Sequence, residues 1–473
     1  MKKVNDVYIR FREHCAKNGI VRPDDLIIVA YSGGPDSTVL LDLLWRWRND
    51  GGRFKLIAGH YNHKLRPEAD AEQRHVEIEC EKKSIQCVVG CGDVAGEAKR
   101  CGVSLHVAAR EMRYDFLVET ALKYFSSTSG IGRVTIVTGH HLDDQTETVL
   151  MRLLNGSGIE GIAGIRRMEV WKDHGDTPII RPLLDFNRDE IEAYCNLCNL
   201  NYVIDESNQD LTYPRNRLRY EIIPLLKSRF GDNVVSGIVR SAELSRLTVD
   251  FLSEAVEEAA IKTVTDRSDS EIVLDYGCFS SYLIMLRLKI LQRSVRMLTK
   301  TDPRITFERF RAVDEYLSSG RTGIVEFGNG IRAAVWKGRI YIYSSFESDW
   351  KRLLYPDQTV EIPGFGHIEA ILKLREDCPL PPPNGAQYCD YSKIGPGPYT
   401  VRLSRKGDRI TPYGMTGRRK VSDILREAEV PPHRRAYPVI VSGNQIAAVP
   451  PLRMAEPFKV TAATQQVVVF RIR

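Results

Sequence analysis

From residue 1 to about 205 the chain alternates short β-like apolar runs with amphipathic stretches, and this alternation is what most restricts its fold. The runs are LIIVAYS (26–32), KLIAGHYN (55–62), QCVVGC (86–91), RVTIVTGH (133–140) and IIRPLL (179–184). Between them DSTVLLDLLWRWR (36–48), EADAEQRHVEIECEKK (68–83), VAAREMRYDFLVETALKYF (107–125) and DDQTETVLMRLLN (143–155) carry apolar residues at three-four spacing. Strands separated by helices predict a doubly wound parallel sheet with helices on both faces. Ligands of such sheets sit at the carboxyl ends of the strands, so the loops after the runs are where chemistry is expected.

A chain of 473 residues exceeds one core and is expected to divide. The expected units are a catalytic domain over 1–215, a mainly helical domain over 216–345 ending in a strand meander, a linker region over 346–398 and a small mixed α+β domain over 399–473. CPLPPPNG (378–385) and KIGPGP (393–398) motivate the linker. Between Arg402 and Arg435 stand ten Lys or Arg (402, 405, 406, 409, 418, 419, 420, 426, 434, 435) against four acids (408, 423, 427, 429), a surplus of six that equals the net charge of the whole chain. Such a cluster suits a polyanion through counterion release, and equally suits a solvated basic face. Ten scattered cysteines, no apolar N-terminal run and no segment of membrane-spanning length point to a cytoplasmic protein with reduced thiols and no membrane partner.

The string Ser32-Gly33-Gly34-Pro35-Asp36-Ser37 follows the first run and opens the first helical stretch. Glycines permit close backbone approach, polar side chains at 36–38 can cap a helix, and the free N–H groups of its first turn attract an anion. The loop lacks the lysine of a Walker A motif and reads as a cradle for pyrophosphate. Gly156-Ser157-Gly158-Ile159-Glu160-Gly161 fits G-x-G-x-x-G but follows a helix, the wrong context for a dinucleotide site. Cys195-Asn196-Leu197-Cys198 lies in a helical pattern with no second pair, which favours core cysteines over a metal or cluster site.

The S-G-G-x-D-S string resembles the signature of the PP-loop ATP pyrophosphatase superfamily. Three further strings narrow the resemblance: Gly59 to Pro67 (GHYNHKLRP), Gly139 to Thr148 (GHHLDDQTET), and Arg181-Pro182-Leu183-Leu184 followed by Asp205-Glu206-Ser207-Asn208 and Arg215-Asn216-Arg217-Leu218-Arg219. Together they resemble the tRNA(Ile)-lysidine synthetase family, with Glu206 replacing the proline more usual in that turn. The resemblance implies a C–N ligase that adenylates the C2 oxygen of the wobble cytidine in an isoleucine tRNA with a CAU anticodon. The ε-amine of free lysine then displaces AMP. ATP, Mg²⁺, that tRNA and lysine are the implied ligands, and assembly as a homodimer is left open.

On this reading Ser32, Gly33, Gly34, Pro35, Asp36, Ser37 and His63 bind ATP, and Asp36, Asp144 and Glu147 carry catalysis. Asp144 and Glu147 are three apart on one polar helix face, where they hold Mg²⁺ (with Asp36) or receive the lysine ammonium, or else merely offset the helix dipole. Arg110, Arg113, Arg215, Arg217 and Arg219, with Arg405, Lys406, Arg418, Arg419 and Lys420 in the tail, are candidate phosphate or tRNA contacts, against a plain surface role.

Overall fold

The structure, a computed structural model, describes residues 2–65, 68–127, 132–171, 177–203, 210–299, 305–321, 323–344, 350–383 and 385–472. Arg66, Pro67 and the string 204–208 lie outside them. The chain forms two compact units, Met1–Phe251 and Leu252–Arg473.

The first unit runs α1 (Lys2–Lys17), β1 (Leu26–Ala30), α2 (Pro35–Asn49), β2 (Lys55–Asn62), α3 (Ala69–Lys82), β3 (Gln86–Cys91), α4 (Val94–Cys101), α5 (Leu105–Ser127), β4 (Val134–Val137), α6 (Leu142–Leu154), α7 (Ile159–Ile162), β5 (Met168–Val170), β6 (Pro178–Ile180) and α8 (Arg188–Cys198). Its sheet has the order β3-β2-β1-β4-β6-β5, parallel except for β5. This is the doubly wound sheet expected from the alternation. Strand β1 shows why: Leu26, Ile27, Ile28 and Val29 are all buried, with Ile27 and Val29 in the core beneath α1, α2 and α8 and Leu26 and Ile28 in the core beneath α5. A strand covered on both faces must be apolar throughout, and each such side chain contributes roughly 1.5–3 kcal/mol. The order reverses between β1 and β4, and that crevice opens where the S-G-G-P-D-S loop leaves β1.

The helix after the sheet, α9 (Pro214–Arg217), continues through a π turn at Leu218–Ile222 into α10 (Ile223–Phe230), and α11 (Asn233–Thr263) runs on into the second unit. There β7 (Val264–Arg267), β8 (Glu271–Asp275), α12 (Tyr276–Ser281), α13 (Ile284–Thr299), α14 (Phe307–Ser318), β9 (Ile324–Gly328), β10 (Ile331–Trp336) and β11 (Arg339–Ser344) build an antiparallel sheet of order β7-β8-β11-β10-β9 with helices on one face. Strands β9, β10 and β11 form an antiparallel meander at its end.

The stretch 346–398, expected as a linker, is instead structured over much of its length. Strands β12 (Lys351–Leu354), β13 (Gln358–Ile362), β14 (Gly366–Leu374) and β15 (Ala386–Asp390) join β16 (Tyr399–Leu403), β17 (Arg409–Ile410), β18 (Arg419–Lys420), β19 (Pro438–Ser442), β20 (Gln445–Val449), β21 (Arg453–Met454) and β22 (Gln466–Ile472). Two antiparallel sheets, β12-β16-β19-β20-β21 and β13-β14-β22-β15, share one core from Trp350 to Phe470. The prolines that suggested a linker fall between strands, where no ladder N–H is needed. Among the described residues no helix is long and apolar enough to cross a membrane.

Candidate active site

The loop after β1 is held by its own polar atoms. Gly33 has φ +85°, and an added Cβ would meet Val76 at 3.0 Å, so only glycine fits there. The carbonyl of Gly33 accepts the Val203 N–H at 2.9 Å, and the Ser32 and Ser37 hydroxyls meet at 3.1 Å. No side chain caps α2, contrary to the expectation from residues 36–38: the cap is Gly34 with Pro35 next, and the Ser37 and Thr38 hydroxyls donate back to Gly34 O at 3.0 and 2.9 Å. The helix start therefore keeps its positive end for an anion. Buried Asp42 anchors α2 by accepting from Lys83 (2.6 Å), Arg46 (2.8 Å) and Tyr194 OH (2.8 Å).

The end of β4 comes against this loop. Gly139 is placed so that an added Cβ would lie 3.0 Å from Asp36 C and from Ser37 N. Two residues on, fully buried His141 caps α6: its Nδ1 accepts the Asp143 N–H at 3.2 Å while Asp144 accepts the His141 N–H at 3.0 Å. The Nε2 of His141 then faces two carboxylates, Asp36 at 3.7 Å and Asp144 at 3.5 Å, with no hydrogen-bond partner of its own. Burial pushes the Asp36 carboxyl above its ordinary value, and the His141 charge offsets this only in part. Burial also works to raise Asp144, but His141 and Arg215 outweigh it and hold Asp144 well below the usual carboxylate range. Burial strongly lowers His140, which is therefore neutral.

The acids on α6 are not open. Arg215 binds Glu147 at 2.6 Å and Asp144 at 2.8 Å, and Arg219 binds Glu147 at 2.5 Å and Asp144 at 3.4 Å, so two arginines and two carboxylates form one network. Glu147 is 1% exposed. Arg219 sits on the π turn, a local widening that is common at functional sites. Sequence reading had placed these arginines and acids in the site without pairing them.

A cavity of about 630 Å³ gathers Ser32, Gly34, Pro35, Asp36, His63, Arg113, Asp144, Arg215 and Arg219 at the carboxyl edge of the sheet. Arg113 brings a cation whose Nε has no partner and whose pKa burial lowers. Arg110 lies over the Tyr114 ring at 4.8 Å and Arg217 donates to Leu211 O at 2.7 Å; neither lines this cavity. Asn216, Arg188, Glu192, Tyr202 and Tyr220 line it and were not singled out as site residues from the sequence. Asn216 stands inside the quoted string 215–219, whereas no sequence signal marked the other four, which reach the cavity through tertiary packing.

In the tail, Lys406, Arg418 and Lys420 are exposed and Arg405 is exposed with its N–H on Asp408 at 2.8 Å. Arg419 pairs with Glu427 at 2.9 Å and Arg402 with Asp408 at 2.7 Å. Cys195 is buried against α2 and Cys198 accepts from Arg46 at 3.2 Å, as core cysteines do. Gly156–Gly161 follows α6, and its Gly161 carbonyl accepts Arg152 at 3.1 Å. Among the described residues no three His, Cys, Asp or Glu side chains converge on a metal position.

Residues 5–226 match the family model described as a PP-loop domain, and residues 399–471 match that of the TilS substrate C-terminal domain. A tRNA(Ile)-lysidine synthase of Clostridium tetani is 32% identical over 468 residues, covering 96% of each chain. The chain belongs to the tRNA(Ile)-lysidine synthase family. A synthase of the same name from Symbiobacterium thermophilum is 33% identical over 487 residues, 98% of this chain and 97% of its own. Among solved structures, a U34-tRNA thiolase from Methanococcus maripaludis with its [4Fe-4S] cluster matches 51% of this chain and 80% of its own at 18% identity and TM-score 0.42, too weak a likeness to bear on function. Membership in the synthase family supplies ATP as the nucleotide of the PP-loop domain.

Proposed function

We propose that the chain is a tRNA(Ile)-lysidine synthase: it adenylates the C2 oxygen of the wobble cytidine in CAU-anticodon isoleucine tRNA, and the lysine ε-amine then displaces AMP, forming lysidine and releasing diphosphate first. The carrying observation is that the phosphate loop, the carboxylates of Asp36 and Asp144, and Arg113, whose buried Nε has no hydrogen-bond partner, share one cavity in a chain 32% identical to a named synthase over 96% of its length.

The chemistry follows from what each group offers. Main-chain N–H groups at the start of α2 bind the β and γ phosphates, and the Gly139 approach fixes the loop so that the α phosphorus faces the cavity. Arg113 adds positive charge where negative charge develops as diphosphate leaves. Asp36 and Asp144 flank the orphaned His141 Nε2 and offer hard carboxylate oxygens, so they would hold Mg²⁺, which would supply positive charge to neutralise the triphosphate. The cytidine oxygen attacks the α phosphorus, turning a poor leaving group into a good one. Glu147 and Asp144 form the anionic wall that receives the lysine ammonium, and Glu147 takes its proton, once Arg215, whose side chain is 46% exposed, turns outward to tRNA phosphate. The C-terminal module, with Arg405, Lys406, Arg418, Arg419 and Lys420, contacts tRNA, as do Arg110 and Arg217 on the first unit. Lysine as co-substrate, a cytoplasmic location and a homodimer complete the reading.

The test is incubation of the pure protein with ATP, isotopically labelled lysine and isoleucine tRNA transcript, followed by nucleoside mass analysis. Lysine attached to cytidine, with AMP and diphosphate in equal amount, is the expected result. Sulfur incorporation or hydrolysis to ADP would overturn the assignment.

A further inference from the structure

Glu271 is a carboxylate buried on the wrong kind of surface. Its strand β8 alternates, so Ile272 and Leu274 enter the core beneath the helices while Glu271 and Val273 face the other side of the middle sheet. On that side stand Tyr341 and Tyr343, paired in register with Val273 and Glu271, and Ala334 and Trp336 from β10. A buried carboxylate on an aromatic face costs several kcal/mol unless partners meet it. Both partners come from the C-terminal module, from the turn Pro432–Arg434.

His433 Nε2 donates to Glu271 at 2.6 Å, and Arg434 donates to the same carboxylate at 2.8 and 3.2 Å. The His433 side chain is 0% exposed, and its ring lies 4.6 Å from each of the Tyr341 and Tyr343 rings. Beside it Lys337, in the turn between β10 and β11, pairs with Glu429. Arg434 was one of the ten residues of the basic cluster, yet its charge is spent inside the molecule.

We propose that Glu271, His433 and Arg434 are a latch that fixes the C-terminal module on the open face of the middle sheet, and thereby sets where the module's basic surface meets the tRNA. These are positioning residues. They touch no substrate, and their effect passes through the bearing of Arg405, Lys406, Arg418 and Lys420, which the same module carries. The tRNA part of this inference rests on the function proposed above. A rigid mount makes two contacts with one tRNA act together, and loosening it forfeits that advantage while leaving the chemistry intact.

Full-length enzyme carrying His433→Ala or Glu271→Gln tests the latch. Amide hydrogen exchange is expected to rise at 270–274 and 430–436, and KM for isoleucine tRNA to rise roughly tenfold or more, with KM for ATP and lysine and the kcat at saturating tRNA within about twofold of the parent. In the His433→Ala background, joining Lys337→Cys to Glu429→Cys with a short bismaleimide is expected to restore the tRNA KM. Faster exchange with an unchanged tRNA KM would overturn the proposal, as would a raised KM with unchanged exchange, which would make these residues direct tRNA contacts. If His433→Ala fails to fold, Arg434→Ala, at the exposed end of the network, is read by the same two measurements. An unsubstituted enzyme that makes no lysidine refutes the proposed function, and the exchange readout still judges the latch.

Discussion

Gly139→Ala places one methyl group where β4 meets the phosphate loop. The new carbon would lie 3.0 Å from Asp36 C and Ser37 N and 3.2 Å from Asp36 O, against 3.4 Å for the near edge of ordinary contact, so about 0.4 Å must come from somewhere. All three neighbours are backbone, held by the Thr38 N–H on Gly34 O at 3.0 Å and by the Val203–Gly33 bond at 2.9 Å, so the loop moves as a piece or the strand end does. Overpacking of this kind costs about 1–3 kcal/mol. Alanine's smaller unfolded-state entropy returns about 0.4–1 kcal/mol, so the clash wins and a net loss of about 1–2 kcal/mol is expected. The functional effect is larger than the stability effect suggests. A displacement near 1 Å costs about a hundredfold in a positioned reaction, so about 0.4 Å predicts on the order of tenfold in kcat/KM for ATP. The assay is tRNA-dependent diphosphate release over an ATP series, beside a thermal melt. Gly237→Ala is the control: nothing lies within 4 Å of its added carbon, its place is inside α11, and it is expected to stabilise by up to about 1 kcal/mol. Unchanged ATP kinetics and melting in Gly139→Ala would refute the claim that this contact sets the loop.

Two further substitutions separate binding from folding. Arg113→Ala removes a half-buried cation whose Nε is buried without a partner, so ATP or tRNA binding is expected to weaken roughly tenfold while the apo melting temperature holds or rises; a clear loss of stability would mean the arginine is structural. Asp36→Asn tests the raised carboxyl directly: its folded pKa lies above 3.8, so its contribution to stability is complete below 3.8 and is lost as pH rises through the folded value. Near neutral pH the variant should therefore melt higher than the parent without ATP, and lose ATP-dependent activity; a lower melting temperature would contradict the assigned environment.

The elements legible in the sequence were those with one dominant cause. The runs at 26–32, 55–62, 133–140 and 179–184 became β1, β2, β4 and β6 because burial on both faces leaves a continuous apolar signature, while the run at 86–91 became β3, an edge strand that is only partly buried. Antiparallel β5, three residues at the sheet edge and only partly buried, has no such signature. Pro and Gly between 378 and 398 concealed strands because punctuation says where a ladder stops, not whether strands flank it. In the site, Ser32–Ser37 was legible because the loop is contiguous. The Arg215–Glu147 and Arg219–Glu147 pairs join residues 68 and 72 apart, and His433 meets Glu271 across 162. Charge alone cannot tell an arginine that waits for phosphate from one that has found a carboxylate.

The central claim is that ATP on the Ser32–Ser37 turn delivers its α phosphorus to an oxygen of the base. Isoleucine tRNA carrying ¹⁸O at C2 of the wobble cytidine traces that oxygen through a single turnover with lysine. The account predicts one ¹⁸O in the released AMP and none in the lysidine. AMP free of label, or a product base that keeps it, would contradict the account.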